Sequence, residues 1–567
     1  MSLKVKFVGA VGTVTGSCSL LHYGLTDSYY LVDCGLYQGF PGDTERNRRK
    51  FCFDPARLSA VLLTHAHIDH CGLLPRLVAE GFKGKVICTR VTARFTMIAL
   101  MDSARRGDQP YTLDDVRKLE AMFQCPDDAD DFRFGYYYPI EQDFLISFIR
   151  TAHIVGSVAI EFRVNVSTTD RLTIVFSGDV GPCSDGATHG GLQKQRQYPN
   201  PEAKYLVCES TYGGKTRKPE VGTFEGRTQA LARVLERAFA RGSEPVIVIP
   251  SFSLQRAQDL VVDLAYALQH LLPAWDPSLT PCIVVDSGMA KEHSRVMCRE
   301  LQRVDARRKR PFLNTDSPLF AGMDAGGINA ALTSWLDVSP GGAVQESGGR
   351  KWGLIYGEFG GNNLPPGPRI VIASSGNCLG GPVIEHLANQ ATNPQATLVF
   401  SGYLPPSSPG YALKSLAVAT TAQEREVVKF KLGDREFKGT DVTAAIEDLS
   451  AFCSGHADEA GLVDFVLRRD TNRPSPALSV FLNHGDRRAR TSLKERLEQT
   501  AQDTSGGWRQ LEAVYLPEAK DGWFDLVGGQ WEPPDDSVGD FRERLELLEQ
   551  KMEEIMANQE RILQLLA

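Results

Sequence analysis

Residues 62–75 read LLTHAHIDHCGLLP. Three histidines and an aspartate, His65, His67, Asp69 and His70, crowd into six positions of a chain with eleven histidines in 567 residues. They follow LSAVLL, an apolar run that predicts a buried strand. Where a strand breaks into a loop, alternating His65 and His67 can turn their imidazoles toward one point. Asp69 and His70 open the next turn and can face a second point. Neutral imidazole and carboxylate are the usual ligands of borderline cations such as zinc.

The same pattern of a polar residue at a strand end recurs outward from this stretch. DFLISFIRTAH ends at His153, RLTIVFSGD at Asp179 and YYLVDCG runs through Asp33. A carboxylate placed between two cations can bridge them. Polar side chains at the mouths of several strands predict an active site on an α/β sheet.

Composition narrows the class. The length predicts two to four domains. A net charge of −8 argues against a chain that binds nucleic acid through overall charge, but leaves room for a local basic groove or for metal ions. No run of eighteen apolar residues occurs, so no membrane span is expected. The start, MSLKVKFVGAVGTVTGS, lacks the apolar core of a secretory signal. Twelve scattered cysteines with no C-x-x-C pair fit reduced thiols in a cytoplasmic protein.

Strand and helix patterns alternate through the first 213 residues. From 214 to 395 a second α/β block follows, with EPVIVIPSF, TPCIVVDSG and PRIVIASSG as buried strands and residues 335 to 366, rich in Gly and Pro, as an irregular excursion. Residues 396–530 are expected to fold back onto the first domain. Beyond a Pro/Asp/Gly-rich link, residues 537–567 carry heptads. Phe541, Leu548, Ile555 and Ile562 form one series, and Leu545, Met552, Gln559 and Leu566 the other. That seam predicts a coiled-coil helix through which copies of the chain associate.

Further motifs carry a resemblance. Asp33, HAHIDH, His153 and Asp179, taken with CESTYGG around Glu209, IPSFSLQRAQDL, VVDSGMA, IASSGNCLGG, SGHAD around His456 and LNHGD around His484, resemble the β-CASP branch of the metallo-β-lactamase superfamily. The motifs span residues 7 to about 490. The resemblance implies an αββα metallo-β-lactamase sandwich, with the 214–395 block inserted as a β-CASP cap over the cleft. It implies two zinc ions per chain, one held by His65, His67, His153 and Asp179, the other by Asp69, His70, Asp179 and His484. Asp33 would orient ligands and water, and water activated by the two metals would attack phosphorus. Glu209 and His456 would form the carboxylate–histidine pair that protonates the departing 3′ oxygen. Ser374, Ser375 and Gly376, in the small-residue turn, and Arg256 would be substrate contacts; Arg256 reads equally as an internal ion-pair partner. Phe252 is expected in the core.

The implied reaction is hydrolysis of phosphodiesters in single-stranded RNA. His484 is typical of RNA-directed members, and the lack of a distinct extra C-terminal domain favours internal cleavage over 5′ exonuclease action. DNA cleavage on the same fold, a hydrolase of small thioesters or lactams, and a scaffold subunit are the other readings. Three departures bear on substrate contacts. Asn377 and Cys378 stand where the family usually has Met after SSG, GKTRKPE follows ESTYG in place of an acidic residue and a histidine, and GYLPPSSPG replaces a polar GYQ.

Overall fold

Alternation sets the first strand. In Leu3–Phe7, Leu3, Val5 and Phe7 are buried while Lys4 and Lys6 stay partly exposed, the period of two of a strand with one face on a core. It pairs antiparallel with Ser19–Tyr23, which pairs with Ser28–Val32. The sheet then continues in parallel through Leu58–Leu62 and Lys85–Ile87. In the computed structural model this is an eight-stranded sheet. The structure describes residues 2–39, 42–166, 170–182, 191–272, 280–304, 310–337, 342–347, 350–361, 363–469, 475–503 and 507–532. The 537–567 heptads lie outside the described residues.

A second sheet of seven strands has Tyr205–Glu209 and Leu478–Asn483 near its centre, both buried at every position and paired in parallel. Burial on both faces is why they read as unbroken apolar runs. The two sheets meet through aromatic rings: Phe7 lies 5.2 Å from Phe481 and Tyr23 4.7 Å from Phe144, centroid to centroid. Helices cover the outer faces. Leu74, Leu77, Val116 and Leu119 pack on the first sheet, and Leu462, Phe465, Leu493 and Leu497 on the second. The result is the expected αββα sandwich.

A third, largely parallel sheet of seven strands runs in the order Ala343–Ser347, Arg350–Gly357, Cys282–Asp286, Arg369–Ala373, Val246–Pro250, Ala396–Phe400 and Ala445–Asp448. Helices Phe224–Phe239, Arg256–Tyr266 and Gly288–Gln302 bury one face of it, and Val383–Gln390 packs on the other. Two expectations change here. The chain does not return to the sandwich at 396, because Ala396–Phe400 and Ala445–Asp448 extend this sheet. A fully buried strand carries no sign of which sheet it joins. Within the expected excursion at 335–366, the described residues include two antiparallel paired strands, Ala343–Ser347 and Arg350–Gly357. The inner strand pairs in parallel with Cys282–Asp286 and buries Trp352, Leu354 and Tyr356, at alternate positions, in the core on one face of the sheet.

The third sheet is tied to the sandwich. Arg90 binds Glu300 through Nε and Nη2 (3.1 and 2.9 Å), and Arg94 binds the same carboxylate at 3.0 Å.

Candidate active site

Six strands deliver polar residues to one edge of the sandwich. Asp33 follows Ser28–Val32, His65 to His70 follow Leu58–Leu62, and His153 follows Phe144–Arg150. Asp179 follows Arg171–Phe176, Glu209 ends Tyr205–Glu209 and His484 follows Leu478–Asn483. The backbone turns hard at these ends: Asp33 has φ 62°, Ala152 φ 57° and His484 φ 51°. Such positive φ at non-glycine residues is costly and collects at functional sites. Gly178, at φ +52°, lets the chain carrying Asp179 pass Thr64, since a Cβ there would lie 2.7 Å from the Thr64 Cβ.

The ligating atoms form two groups. His65, His67, His153 and Asp179 bring their donor atoms within 4.8 Å of one another, and so do Asp69, His70 and His484. The free nitrogens face inward because the others are occupied. His153 Nδ1 bonds the Gly455 carbonyl at 2.8 Å, His70 Nδ1 bonds Asp33 at 2.7 Å, and His484 Nδ1 lies 3.2 Å from the Thr211 hydroxyl. Such partners fix tautomer and ring direction. Asp33 is itself held by the amide and hydroxyl of Thr64 and by the Ser17 hydroxyl.

Asp179 spans both groups. Its Oδ2 lies 3.4 Å from His65 Nε2 and from His153 Nε2, while Oδ1 lies 3.3 Å from His70 Nε2. Oδ1 is buried and, among the described residues, has no hydrogen-bond partner. A buried carboxylate oxygen without a donor is expensive. Imidazole nitrogens also converge on one another, His67 Nδ1 lying 3.1 Å from His65 Nε2 and 2.9 Å from His153 Nε2. Lone pairs brought together in this way fit divalent metal binding at this cluster. Burial pushes the pKa values of His65 and His67 well down, and that of His153 to about 4. All three are therefore neutral donors.

His456 is different. Both Glu209 oxygens lie 3.1 Å from its Nδ1, and its Nε2 is 3.9 Å from Asp179 Oδ2. Burial lowers its pKa, but the Glu209 and Asp179 charges outweigh that and raise it to about 10. Glu209 also accepts the Val180 amide at 2.6 Å. Glu209, His456 and Asp179 could as a set surround an ion, but these bonds already occupy the glutamate. The geometry is that of a charged imidazole poised beside the two ligand groups.

The expected substrate residues fare unevenly. Ser375 spends its hydroxyl on Asn377 (2.7 Å) and on the Gly380 carbonyl (3.0 Å), so the 374–380 turn closes on itself. Gly376 packs beneath Phe252, where a Cβ would lie 2.7 Å from the Phe252 amide nitrogen. Phe252 is not in the core: it is 45 % exposed, because it follows its strand and covers the glycine turn instead. The Arg256 guanidinium reaches the His456 loop, with Nη2 4.0 Å from where a Cβ of Gly455 would stand. Thr64, Thr211 and Gln255 also touch the site residues or their loops. Thr64 was readable as the residue before HAH, while the other two depend on distant partners.

Comparison with known proteins agrees with this architecture. A model described as the metallo-beta-lactamase superfamily matches residues 11–193, the Beta-Casp domain matches 257–413, and the Zn-dependent metallo-hydrolase RNA specificity domain matches 439–508. Ribonuclease TTHA0252 of Thermus thermophilus is 28% identical over 514 residues, 89% of this chain and 98% of that protein. The transcription termination factor FttA of Methanosarcina mazei is 25% identical over 532 residues, covering 91% and 72%. FttA of Cenarchaeum symbiosum is 27% identical over 503 residues, covering 87% and 67%. With its sandwich, its inserted sheet and its clustered histidines and aspartates, the chain belongs to the β-CASP branch of the metallo-β-lactamase superfamily of metallo-hydrolases.

Proposed function

We propose that this protein is a ribonuclease that cuts single-stranded RNA internally, with two zinc ions per chain held by His65, His67, His153 and Asp179 and by Asp69, His70, Asp179 and His484. Bound there, the cations would acidify a water and neutralise charge on the phosphoryl oxygens. The chain's own residues set the rest. Asp33 and Thr64 fix the His70 ring, and Gly455 fixes that of His153. Glu209 keeps His456 protonated, and His456 donates to the departing 3′ oxygen.

The observation that carries this reading is the position of His456. A cationic imidazole, clamped by a buried glutamate, faces the carboxylate shared by both ligand groups. A thioester loses a thiolate, which departs without a proton, so that chemistry has no need of this third station. RNA is favoured over DNA by the RNA-specificity match, which contains both His456 and His484, and by the relative named a ribonuclease.

The third sheet, which we assign to a β-CASP cap, reaches the site loops through Arg256 at Gly455 and Gln255 at Val155. The heptads of 537–567 join copies of the chain, and its place is the cytoplasm. Cleavage of matched single-stranded RNA and DNA by zinc-loaded protein tests the substrate. Internal cuts in RNA with DNA spared are expected, and the reverse would overturn the reading. Light scattering before and after removal of 537–567 tests association, for which a fall in mass is expected.

A further inference from the structure

The segment after Glu209 departs from the family pattern, and its placement gives that departure a meaning. Residues 212–217, Tyr-Gly-Gly-Lys-Thr-Arg, run along the loop that carries His456. Gly214 N donates to Glu459 Oε2, and Glu459 N donates back to the Lys215 carbonyl at 3.0 Å. Arg217 N donates to Asp458 Oδ2 at 2.9 Å, and Arg217 Nη1 to the His456 carbonyl at 2.9 Å. Four bonds thus fix the segment and the two cations it bears.

Those cations gather on one ring. Lys215 Nζ and Arg217 Cζ each lie 4.9 Å from the centroid of Tyr212, within cation–π range. Tyr212 meets the His456 imidazole nearly perpendicular, at 5.7 Å. From the cap side Arg256 reaches the same loop at Gly455. Among the described residues none of the three cations forms an ion pair with a carboxylate. Asp458 is engaged by the backbone amides of Arg217 and Gly461, and Asp259 by the Gln255 amide. Burial lowers the pKa of Arg217 and the charge of Arg256 adds to that, against Tyr212, Asp458 and Glu209. Like charges held together with no salt bridge among them favour an anion between them, and a guanidinium paired with an ammonium suits phosphate.

Direction follows from His456, whose Nε2 faces Asp179 while its carbonyl faces Arg217. We propose that Lys215 and Arg217, with Arg256 across the cleft, bind the phosphate immediately 5′ of the cleaved bond. This rests on the reading of His456 as the proton donor to the 3′ oxygen. The nucleotide that carries that oxygen then lies beside His456, and its own 5′ phosphate meets the three cations. Recognition is by charge, so it tolerates any base and is blind to the 2′ hydroxyl.

The test uses full-length, zinc-loaded protein and a Lys215→Gln/Arg217→Gln double variant. Three substrates are compared: an oligoribonucleotide, the same strand with one neutral methylphosphonate 5′ of the cleaved bond, and bis(4-nitrophenyl) phosphate. In the variant, kcat/KM for the all-phosphate strand should fall at least tenfold further than for the small diester. Its binding should lose salt dependence by about 0.7 in log–log slope per lost phosphate contact. The methylphosphonate should cost the wild type a comparable factor and the variant little more. An equal loss on strand and small diester would show that Arg217 acts only through the His456 carbonyl, and would overturn the proposal. So would a full methylphosphonate penalty in the variant. Wild-type cleavage of DNA in place of RNA would overturn the ribonuclease reading alone, since the methylphosphonate comparison works on either strand.

Discussion

Gln255 joins the cap to the loop of a candidate metal ligand: its Oε1 accepts the Val155 amide at 3.0 Å, and Val155 lies two residues beyond His153. Its Nε2 donates to Asp259 at 2.9 Å. The backbone is strained to allow it. Gln255 has φ 66° and ψ −54°, and Arg256 N bonds the Leu254 carbonyl at 2.8 Å, a γ-turn of the rare positive-φ kind. In Gln255→Gly, relief of about 1 kcal/mol of strain should offset the loss of about 1 kcal/mol of hydrogen bonding. The melting temperature should therefore hardly move, while kcat/KM falls about tenfold as the His153 loop loses its tether. Calorimetry and kinetics on one preparation check this. Unchanged kinetics would show that the tie is idle.

Asp179 is the only described carboxylate whose two oxygens face different ligand groups. Asp179→Asn keeps the shape and removes the charge. Losing an outer partner of a metal ligand costs about 10–100-fold in affinity or activity, so a shared ligand should cost more. Elemental analysis should show less than two metals per chain, with activity down more than about 100-fold. Chelation of the wild type should lower its melting temperature, because cations that bind only the folded chain stabilise it. The Asn variant should respond less to chelator. An undiminished response would sever Asp179 from the metals.

The Glu209–His456 pair sets a pH limb. A histidine donates while protonated, so its acid function is present below its folded pKa and lost above it. Burial alone would lower that pKa, while Glu209, then Asp179, raise it to about 10. Glu209→Gln removes the largest raising influence and keeps the side chain's size. The alkaline limb of kcat should then move to lower pH, with bound metal unchanged. His456→Ala should abolish that limb. A limb that stays in place in both variants would assign it to another group.

Much of the site was legible because it is locally written. His65, His67, Asp69 and His70 fall within six positions, and each further ligand closes an apolar strand. The sheet edge then assembles what the strand ends announce. What sequence did not show depends on contacts between distant positions. Arg217 meets His456 across 239 residues and Gln255 meets Val155 across 100, and no local period encodes either. The cap boundary failed for a related reason: Ala396–Phe400 is buried at every position, and an all-apolar strand fits either sheet. The exposure of Phe252 follows from a turn whose course an apolar residue does not report.

Glu300 anchors the cap from the other side. It is 1 % exposed and binds Arg90 through two nitrogens and Arg94 through one, both from the sandwich helix Arg90–Arg105. Glu300 is buried, but Arg90 and Arg94 are 26% and 45% exposed, so solvent screens part of the attraction. Removing Glu300 leaves two guanidinium groups that water can solvate, whereas removing Arg90 leaves the buried carboxylate to Arg94 alone. Glu300→Ala should therefore destabilise the protein by about 1–3 kcal/mol, and Arg90→Ala by a similar amount. The double variant should be less damaged than the sum, with a coupling of about 0.5–3 kcal/mol. Since this contact joins the third sheet's helix to the sandwich, Glu300→Ala should also raise KM for long RNA more than for a small diester. Denaturant unfolding of the four proteins of the cycle measures the coupling. Strict additivity would show that the cap is held elsewhere, at Gln255 and Val155.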